Sequence, residues 1–297
     1  MTRSPDCRIS VIMVDGSFRE SYHAIDFLAQ QTWPQSSYEL LWVEYHDRLR
    51  PALVEKLSRL SNARSITLNR AGEYHSSYCF NAAIAASRAE LLVIIDADVA
   101  VEKDFLETVW QAHQRDERLV MYVFRLDEPR EQHREPIALD HLQRVCVLGN
   151  PTNYGGCLTV RKSWLVAING YEQHPVFSSG FHANGLDVYT RLKNLGLSVQ
   201  WHPTLMLYHP WHPSTLVPTT LSQKMQRVMI EYRALQRAST CFEGIDPTRN
   251  SCPPPDLLAR IEGAKSEPAP RKRKLSTRLW RWRKSKARVP RPSGADS

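Results

Sequence analysis

Hydrophobic positions in the first 125 residues fall into two alternating patterns. Short apolar stretches at Ile9–Val14, Glu39–Val43, Ser65–Leu68, Leu91–Ile95 and Leu119–Phe124 have the length and β-branched content of buried strands, and the first ends at Asp15-Gly16. Between them lie stretches with helical spacing. Residues 20–31 carry Tyr22, Ile25, Phe27 and Leu28; residues 53–60 carry Leu53, Leu57 and Leu60 on one face. An Ala-rich stretch at 78–87 and a further one at 103–113 complete the alternation. Strand–helix units of this spacing predict an α/β protein with a mostly parallel sheet covered by helices.

Beyond residue 125 the pattern loosens. Residues 126–152 are polar, are interrupted by Pro129, Pro136 and Pro151, and read as a long connection with a short helix near His141–Val147. A Gly155-Gly156 turn, a strand at Cys157–Val160 and a helix at Lys162–Ile168 follow, and then a loop leading to a helix at Asp187–Asn194. Pro203, Pro210, Pro213 and Pro218 predict a loop-rich section holding one strand, Leu205–Tyr208. Leu221, Met225, Val228, Met229, Tyr232 and Leu235 place an amphipathic helix over 219–238. From Asp246 onward Pro, Arg and Lys dominate, so the expectation is one domain over 1–245 and a disordered tail over 246–297.

Charge sharpens that division. Of 39 Lys and Arg, 12 lie between 263 and 297 against 2 of the 31 acidic residues. The remainder carries 27 basic and 29 acidic side chains, so the net charge of +8 belongs to the tail, and specific nucleic-acid binding by the body is not expected. No apolar run reaches the roughly 18–20 residues that span a bilayer. Met1–Ser10 has no signal-peptide core, which points to a cytoplasmic chain. Cysteines at 7, 79, 146, 157, 241 and 252 form no C-x-x-C pair and read as scattered free thiols of a reducing compartment.

The chemistry concentrates at Ile94-Ile95-Asp96-Ala97-Asp98, two carboxylates at the carboxyl end of a buried strand, where ligands of open α/β sheets bind. In extended geometry both side chains point the same way and could hold a hard divalent cation whose other ligands come from a diphosphate. The bland reading is a helix cap and a solvated acid. The surroundings make the site more specific. Ser10–Met13 followed by Arg19-Glu20, Ala29-Gln30-Gln31-Thr32-Trp33-Pro34, Leu41-Trp42-Val43-Glu44, Asn81–Ser87, Tyr154-Gly155-Gly156-Cys157 and Ile168-Asn169-Gly170-Tyr171-Glu172 stand in the order of the motifs of a known family. Over residues 8–125 and 150–215 the chain resembles glycosyltransferase family 2, bacterial type, with the GT-A nucleotide-sugar fold.

That resemblance implies a nucleotide-binding part at 8–125 and an acceptor part at 150–215. Asp96 and Asp98 would hold Mg²⁺ or Mn²⁺ on the donor diphosphate, neutralising the leaving group. Glu44 would lie near the ribose or base, with Arg70 and Asn81 as further donor-side contacts. His209, or alternatively His212, would supply a third metal ligand, and Trp211 would stack on a sugar ring or close over the donor. The implied reaction is inverting transfer of a sugar, most simply from a UDP-sugar, to a hydroxyl of a glycan or lipid-linked acceptor in polysaccharide biosynthesis.

One departure stands out. Where the family carries an adjacent acidic pair, this chain has Asn184-Gly185, and an amide cannot take a proton at neutral pH. Asp187 or His182 is then the expected catalytic base, Asp187 having a second reading as an i,i+4 partner of Arg191. The alternative function is a catalytically impaired relative that binds nucleotide-sugar or glycan, or scaffolds a partner enzyme. A nucleotidyltransferase lacks support, since no Gly-rich phosphate loop with a following Lys lies near the first strand. The basic tail segment 271–288, with Trp280 and Trp282, suits an anionic membrane surface at the inner face.

Overall fold

A computed structural model describes residues 7–178, 183–213 and 220–266. His182 and the 271–288 basic segment lie outside these. The strands are β1 (Ile9–Asp15), β2 (Tyr38–Glu44), β3 (Ala63–Thr67), β4 (Leu91–Ile95), β5 (Leu119–Asp127), β6 (Cys157–Arg161) and β7 (Ser198–His209). They form one sheet in the order β3-β2-β1-β4-β6-β5-β7, in which only β6 runs against its neighbours. The helices are α1 (His23–Ala29), α2 (Pro51–Ser58), α3 (Ser76–Ala86), α4 (Phe105–Arg115), α5 (Leu139–Val145), α6 (Lys162–Ala167), α7 (Asn184–Asn194), α8 (Thr220–Gln236) and α9 (Pro255–Ser266).

Both faces of the sheet are covered, which is why β1, β2 and β4 read as unbroken apolar runs and are buried at every position. Val11, Met13 and Val93 face a core shared with Ile25 of α1, Leu53 of α2 and Leu106 of α4. Ile12, Ile94 and Leu158 face the other layer, built on Ile84 of α3, Leu165 of α6 and Val188 of α7. Helix α4 buries Phe105, Leu106, Val109 and His113 along one stripe, as its periodicity predicts. Helix α7 ends where Gly196 takes φ +73°, a left-handed turn that glycine enters without steric cost.

Two expectations need correction. The section around Pro203 is strand rather than loop. β7 is continuous from Ser198, and between Tyr122↔Trp201 and Phe124↔Met206 its pairing with β5 slips to leave 202–205 bulged. Pro203 has no N–H to give a ladder, and the bulge places it where none is needed. The His202 ring closes the bulge by accepting from Leu205 N at 2.9 Å.

The ordered fold also runs past residue 245. Leu257 and Ile261 of α9 are buried with Val176, Phe177, Met229 and Ile230, and the compact unit extends to Lys265. Proline density at 253–255 masked a four-residue apolar spacing, and the last of those prolines opens the helix, where a missing N–H is harmless. Arg233 of α8 is fully buried. All six cysteines are free thiols. Among the described residues no helix is long and apolar enough to cross a membrane.

Candidate active site

Because β1, β4, β5 and β7 run in one direction, their carboxyl ends meet at one edge of the sheet. Each leaves a polar side chain there as its apolar run expires: Asp15 from β1, Asp96 and Asp98 just after β4, Arg125 and Asp127 from β5, and His209 from β7. Of these, Asp96, Asp98, Arg125 and His209 border a cleft of about 390 Å³ at the carboxyl edge, where α/β sheets place ligands.

The two aspartates face different partners. β4 stops at Ile95, and Ala97-Asp98 is a turn, so the two-residue alternation of an extended strand no longer applies. Asp96 faces Arg125, with Nη1 at 3.1 Å from Oδ2. Asp98 is ion-paired to Arg19 and approached by two imidazoles: His209 Nε2 at 3.7 Å from Oδ1 and His212 Nε2 at 3.4 Å from Oδ2. Asp98, His209 and His212 each offer a ligand atom within 4.8 Å of the others, and Asp96 stands outside this group. Asp127 accepts from His209 Nδ1 at 3.1 Å, which turns Nε2 toward Asp98. A carboxylate behind a histidine in this way orients a metal-binding ring.

The donor set fits a divalent cation. Asp98 Oδ1 is buried and has no hydrogen-bond partner among the described residues, while the Nε2 atoms of His209 and His212 face one another at 3.1 Å. Two facing imidazole nitrogens with one carboxylate form a mixed N/O set, which suits Mn²⁺ better than Mg²⁺. The field is strongly negative. Burial alone would raise the Asp98 carboxyl, but Arg19, then His209 and His212, hold it well below the usual carboxylate range. Burial, with Asp98 beside it, raises Asp96. Burial also lifts Asp15 to about 6, against the pull of Arg19. Burial disfavours a charged His209 ring, yet Asp127 and Asp98 outweigh it and push the imidazole up to about 9.

The other expected residues are dispersed. Glu44 is buried, and its two oxygens accept main-chain N–H groups of Ser17 (3.1 Å) and His46 (3.0 Å), pinning the loop after β1. Arg70 stacks on the Tyr78 ring at 3.6 Å and lines a separate hollow with Asn81. The Asn81 amide is spent on the backbone of Tyr171, donating to its carbonyl (2.8 Å) and accepting from its N–H (2.7 Å). Its buried location makes it an anchor for that turn rather than a ligand contact. Trp211 borders an adjoining cleft that shares Phe18, Arg19, Asp98 and His212 with the first, and its N–H donates to Glu128 at 2.9 Å.

Asp187 is not positioned as a base. It is fully buried, with Oδ2 bonded to Arg191 Nε at 2.9 Å and Oδ1 to Arg233 of α8. Arg233 also pairs with Glu172. The i,i+4 partnership is thus the structural outcome, and it is extended by an arginine from 46 residues away. At the position of the family's acidic pair, a Cβ on Gly185 would lie 2.3 Å from the Tyr154 carbonyl oxygen, so no side chain can be restored there without moving backbone.

Sequence reading did not assign Arg19, Arg125 or Asp127. A signal existed for the last two: Arg125 and Asp127 alternate at the end of an apolar strand, as Asp96 follows one. Arg19 carried no such signal, since its partner is 79 residues distant.

Residues 44–168 match the family model "Glycosyl transferase family 2". Among solved structures, S. aureus TarS 1-349 is similar with TM-score 0.56 at 14% identity, over 86% of this chain and 71% of that one. The same TarS fragment in complex with UDP-GlcNAc gives TM-score 0.57 at 14% identity, over 77% and 69%. The mannosyltransferase PcManGT from Pyrobaculum calidifontis, in complex with GDP-Man and Mn²⁺, gives 0.51 at 12%, over 89% and 70%. At such identities the likeness is one of fold. No curated protein matches the chain. The matched stretch, 125 of the 297 residues, contains Asp96, Asp98 and the Gly155-Gly156 turn, and the sheet around them has the fold of these neighbours; over that stretch the chain is similar to glycosyl transferase family 2.

Proposed function

We propose that the protein transfers a sugar from a nucleotide-sugar, most simply a UDP-sugar, to an acceptor hydroxyl, with a divalent cation held by Asp98, His209 and His212. The convergence of those three side chains at the carboxyl edge carries the reading. The TarS fragment with UDP-GlcNAc and PcManGT with GDP-Man and Mn²⁺ support it as examples of the same fold with such donors. When bound, the cation would supply charge to the diphosphate leaving group.

The chain's own groups do the rest. Arg19 and Arg125 border the cleft beside the aspartates and can turn toward phosphate oxygens once a cation shares the carboxylates. Asp127 holds His209 in the tautomer whose Nε2 lone pair faces the ligand. With Asp187 committed to two arginines, we assign the proton of the acceptor hydroxyl to His182, by its position in the sequence and the range of an imidazole. In-line displacement, hence inversion, follows from one base and one leaving group on opposite sides of the anomeric carbon. The basic segment 271–288 is assigned to an anionic membrane surface, which co-sedimentation with phosphatidylglycerol against phosphatidylcholine vesicles checks.

The test is thermal unfolding with UDP, GDP, CDP and their sugars, with and without Mn²⁺, followed by donor turnover. One nucleotide should stabilise the wild type by about 2.7 kcal/mol at 100 times its dissociation constant, only with metal, and should lose that effect in Asp98→Ala. Stabilisation that ignores metal or survives Asp98→Ala removes the cation from the account. Binding without turnover supports the alternative of a relative that holds donor but does not transfer it.

A further inference from the structure

Arg19 stands in the loop between β1 and α1 and borders both the main cleft and the adjoining one. Its side chain is only 10% exposed, and its Nη1 is ion-paired to Asp98 Oδ2. His212 Nε2 approaches that same oxygen at 3.4 Å. Asp98 therefore belongs both to this ion pair and to the group it forms with His209 and His212. A guanidinium and a divalent cation on one carboxylate repel each other, and they do so strongly in a site that water screens little.

The ion pair is also incomplete on the arginine's side. Arg19 Nε is buried and has no hydrogen-bond partner among the described residues. Asp15 Oδ1 lies 3.9 Å from it, beyond hydrogen-bond reach, and already accepts from Gly16 N at 2.9 Å. A buried guanidinium with an idle N–H at the border of a cleft is costly unless a bound group accepts from it. Nε–H and Nη–H together form the fork that two oxygens of one phosphate fit, and Asp98 uses Nη1 alone. Arg125, the other guanidinium of the cleft, makes its ion pairs with Asp96 and Asp127 instead.

We infer that Arg19 is an exchangeable counter-ion: it neutralises Asp98 while no cation is bound, and it transfers to the diphosphate of the nucleotide when one is. Cation and diphosphate then bind cooperatively, because each removes the partner that Arg19 would otherwise keep. The inference rests on the proposed cation reading of Asp98, His209 and His212, and it names the residue that makes metal and donor depend on each other. By linkage the dependence is reciprocal.

The experiment uses the metal-free full chain and calorimetry at pH 7.5, measuring Mn²⁺ affinity without nucleotide and UDP affinity in saturating Mn²⁺. Arg19→Gln should bind Mn²⁺ alone about tenfold more tightly than wild type, since Asp98 is freed, and should bind UDP about tenfold more weakly. These opposite signs separate exchange from general damage, which would weaken both. Arg125→Gln removes the same charge from the same cleft and should change affinity for Mn²⁺ alone by less than about threefold. Arg19→Lys keeps the charge but has no fork, and it is the second variant if Arg19→Gln does not fold. Its affinity for Mn²⁺ alone should stay within about threefold of wild type while UDP weakens about tenfold. The inference is overturned if Arg19→Gln binds Mn²⁺ no more tightly than wild type, or if Arg125→Gln tightens it as much. It is also overturned if UDP affinity is unchanged in both Arg19 variants. In each of those cases Mn²⁺ binding by the wild type leaves the cation reading standing. A protein that binds no Mn²⁺ in any form overturns the cation reading, and this inference with it.

Discussion

Two clusters of arginine and carboxylate in this fold differ in how they are completed. The brace behind the cleft joins Glu172 and Asp187 to Arg191 and Arg233, two acids against two guanidiniums. Every carboxylate oxygen in it has a donor, the last ones being the N–H groups of His174, Phe242 and Glu243 on Glu172. The cluster at the sheet edge sets Asp15, Asp96, Asp98 and Asp127 against Arg19 and Arg125, and adds two imidazoles. Four carboxylates there face two guanidiniums and the imidazoles supply the remaining positive charge, while among the described residues Asp98 Oδ1 has no hydrogen bond. A charge-balanced network whose carboxylate oxygens are all bonded is an internal strut. One with surplus acids and aimed lone pairs is arranged for something cationic to complete it.

Removing a member should therefore act in opposite directions in the two clusters. The largest effect belongs to the brace. Arg233→Met strands two buried carboxylates and should cost about 3–5 kcal/mol in chemical unfolding, with Asp187→Asn costing somewhat less. A loss below about 1 kcal/mol from Arg233→Met would mean that the brace is not the strut its geometry describes.

At the sheet edge, loss of an acid should help. The folded pKa of Asp15, about 6, lies above the ordinary value of 3.8, so its charge is penalised in the native state. The penalty is absent below about pH 4, grows as pH rises toward 6, and is complete above that. Asp15→Asn should then stabilise the metal-free protein by about 3 kcal/mol at pH 7.5 and leave it unchanged at pH 4. The same substitution destabilising the protein at pH 7.5 would erase the contrast between the clusters.

The smallest effect sharpens the cation claim. The folded pKa of His209, about 9, lies above its ordinary 6.5, so the ring stabilises the metal-free fold below pH 6.5 and that contribution is lost as pH climbs through 9. A metal needs the neutral ring. Mn²⁺ affinity by calorimetry should thus rise about tenfold per pH unit between 7 and 9, and His209→Gln should flatten the slope. An equal slope in His209→Gln would place the displaced proton elsewhere.

Much of the frame was legible in the residues themselves. Apolar runs at 9–14, 39–43 and 91–95 could only be strands covered on both faces, and their carboxyl ends had to gather near Asp96. His209 was legible as the end of a short strand. The helix at 255–266 was not, because its apolar spacing is short and its neighbours are prolines; it becomes stable only on Val176 and Met229. Asp187 could be read either as base or as brace, and nothing local separates the two.

The sequence by itself determined the strand–helix alternation, the family resemblance and the edge of the sheet that carries the chemistry, since these follow from periodicity and residue order along the chain. Tertiary structure alone decided which acids are committed and which are open. Arg233 reaches Asp187 across 46 positions and Arg19 reaches Asp98 across 79. Burial sets the charge of Asp15, the neighbouring Asp127 and Asp98 set that of His209, and a turn after Ile95 separates Asp96 from Asp98. Pairing and burial are properties of distance in space, which local spacing along the chain does not encode.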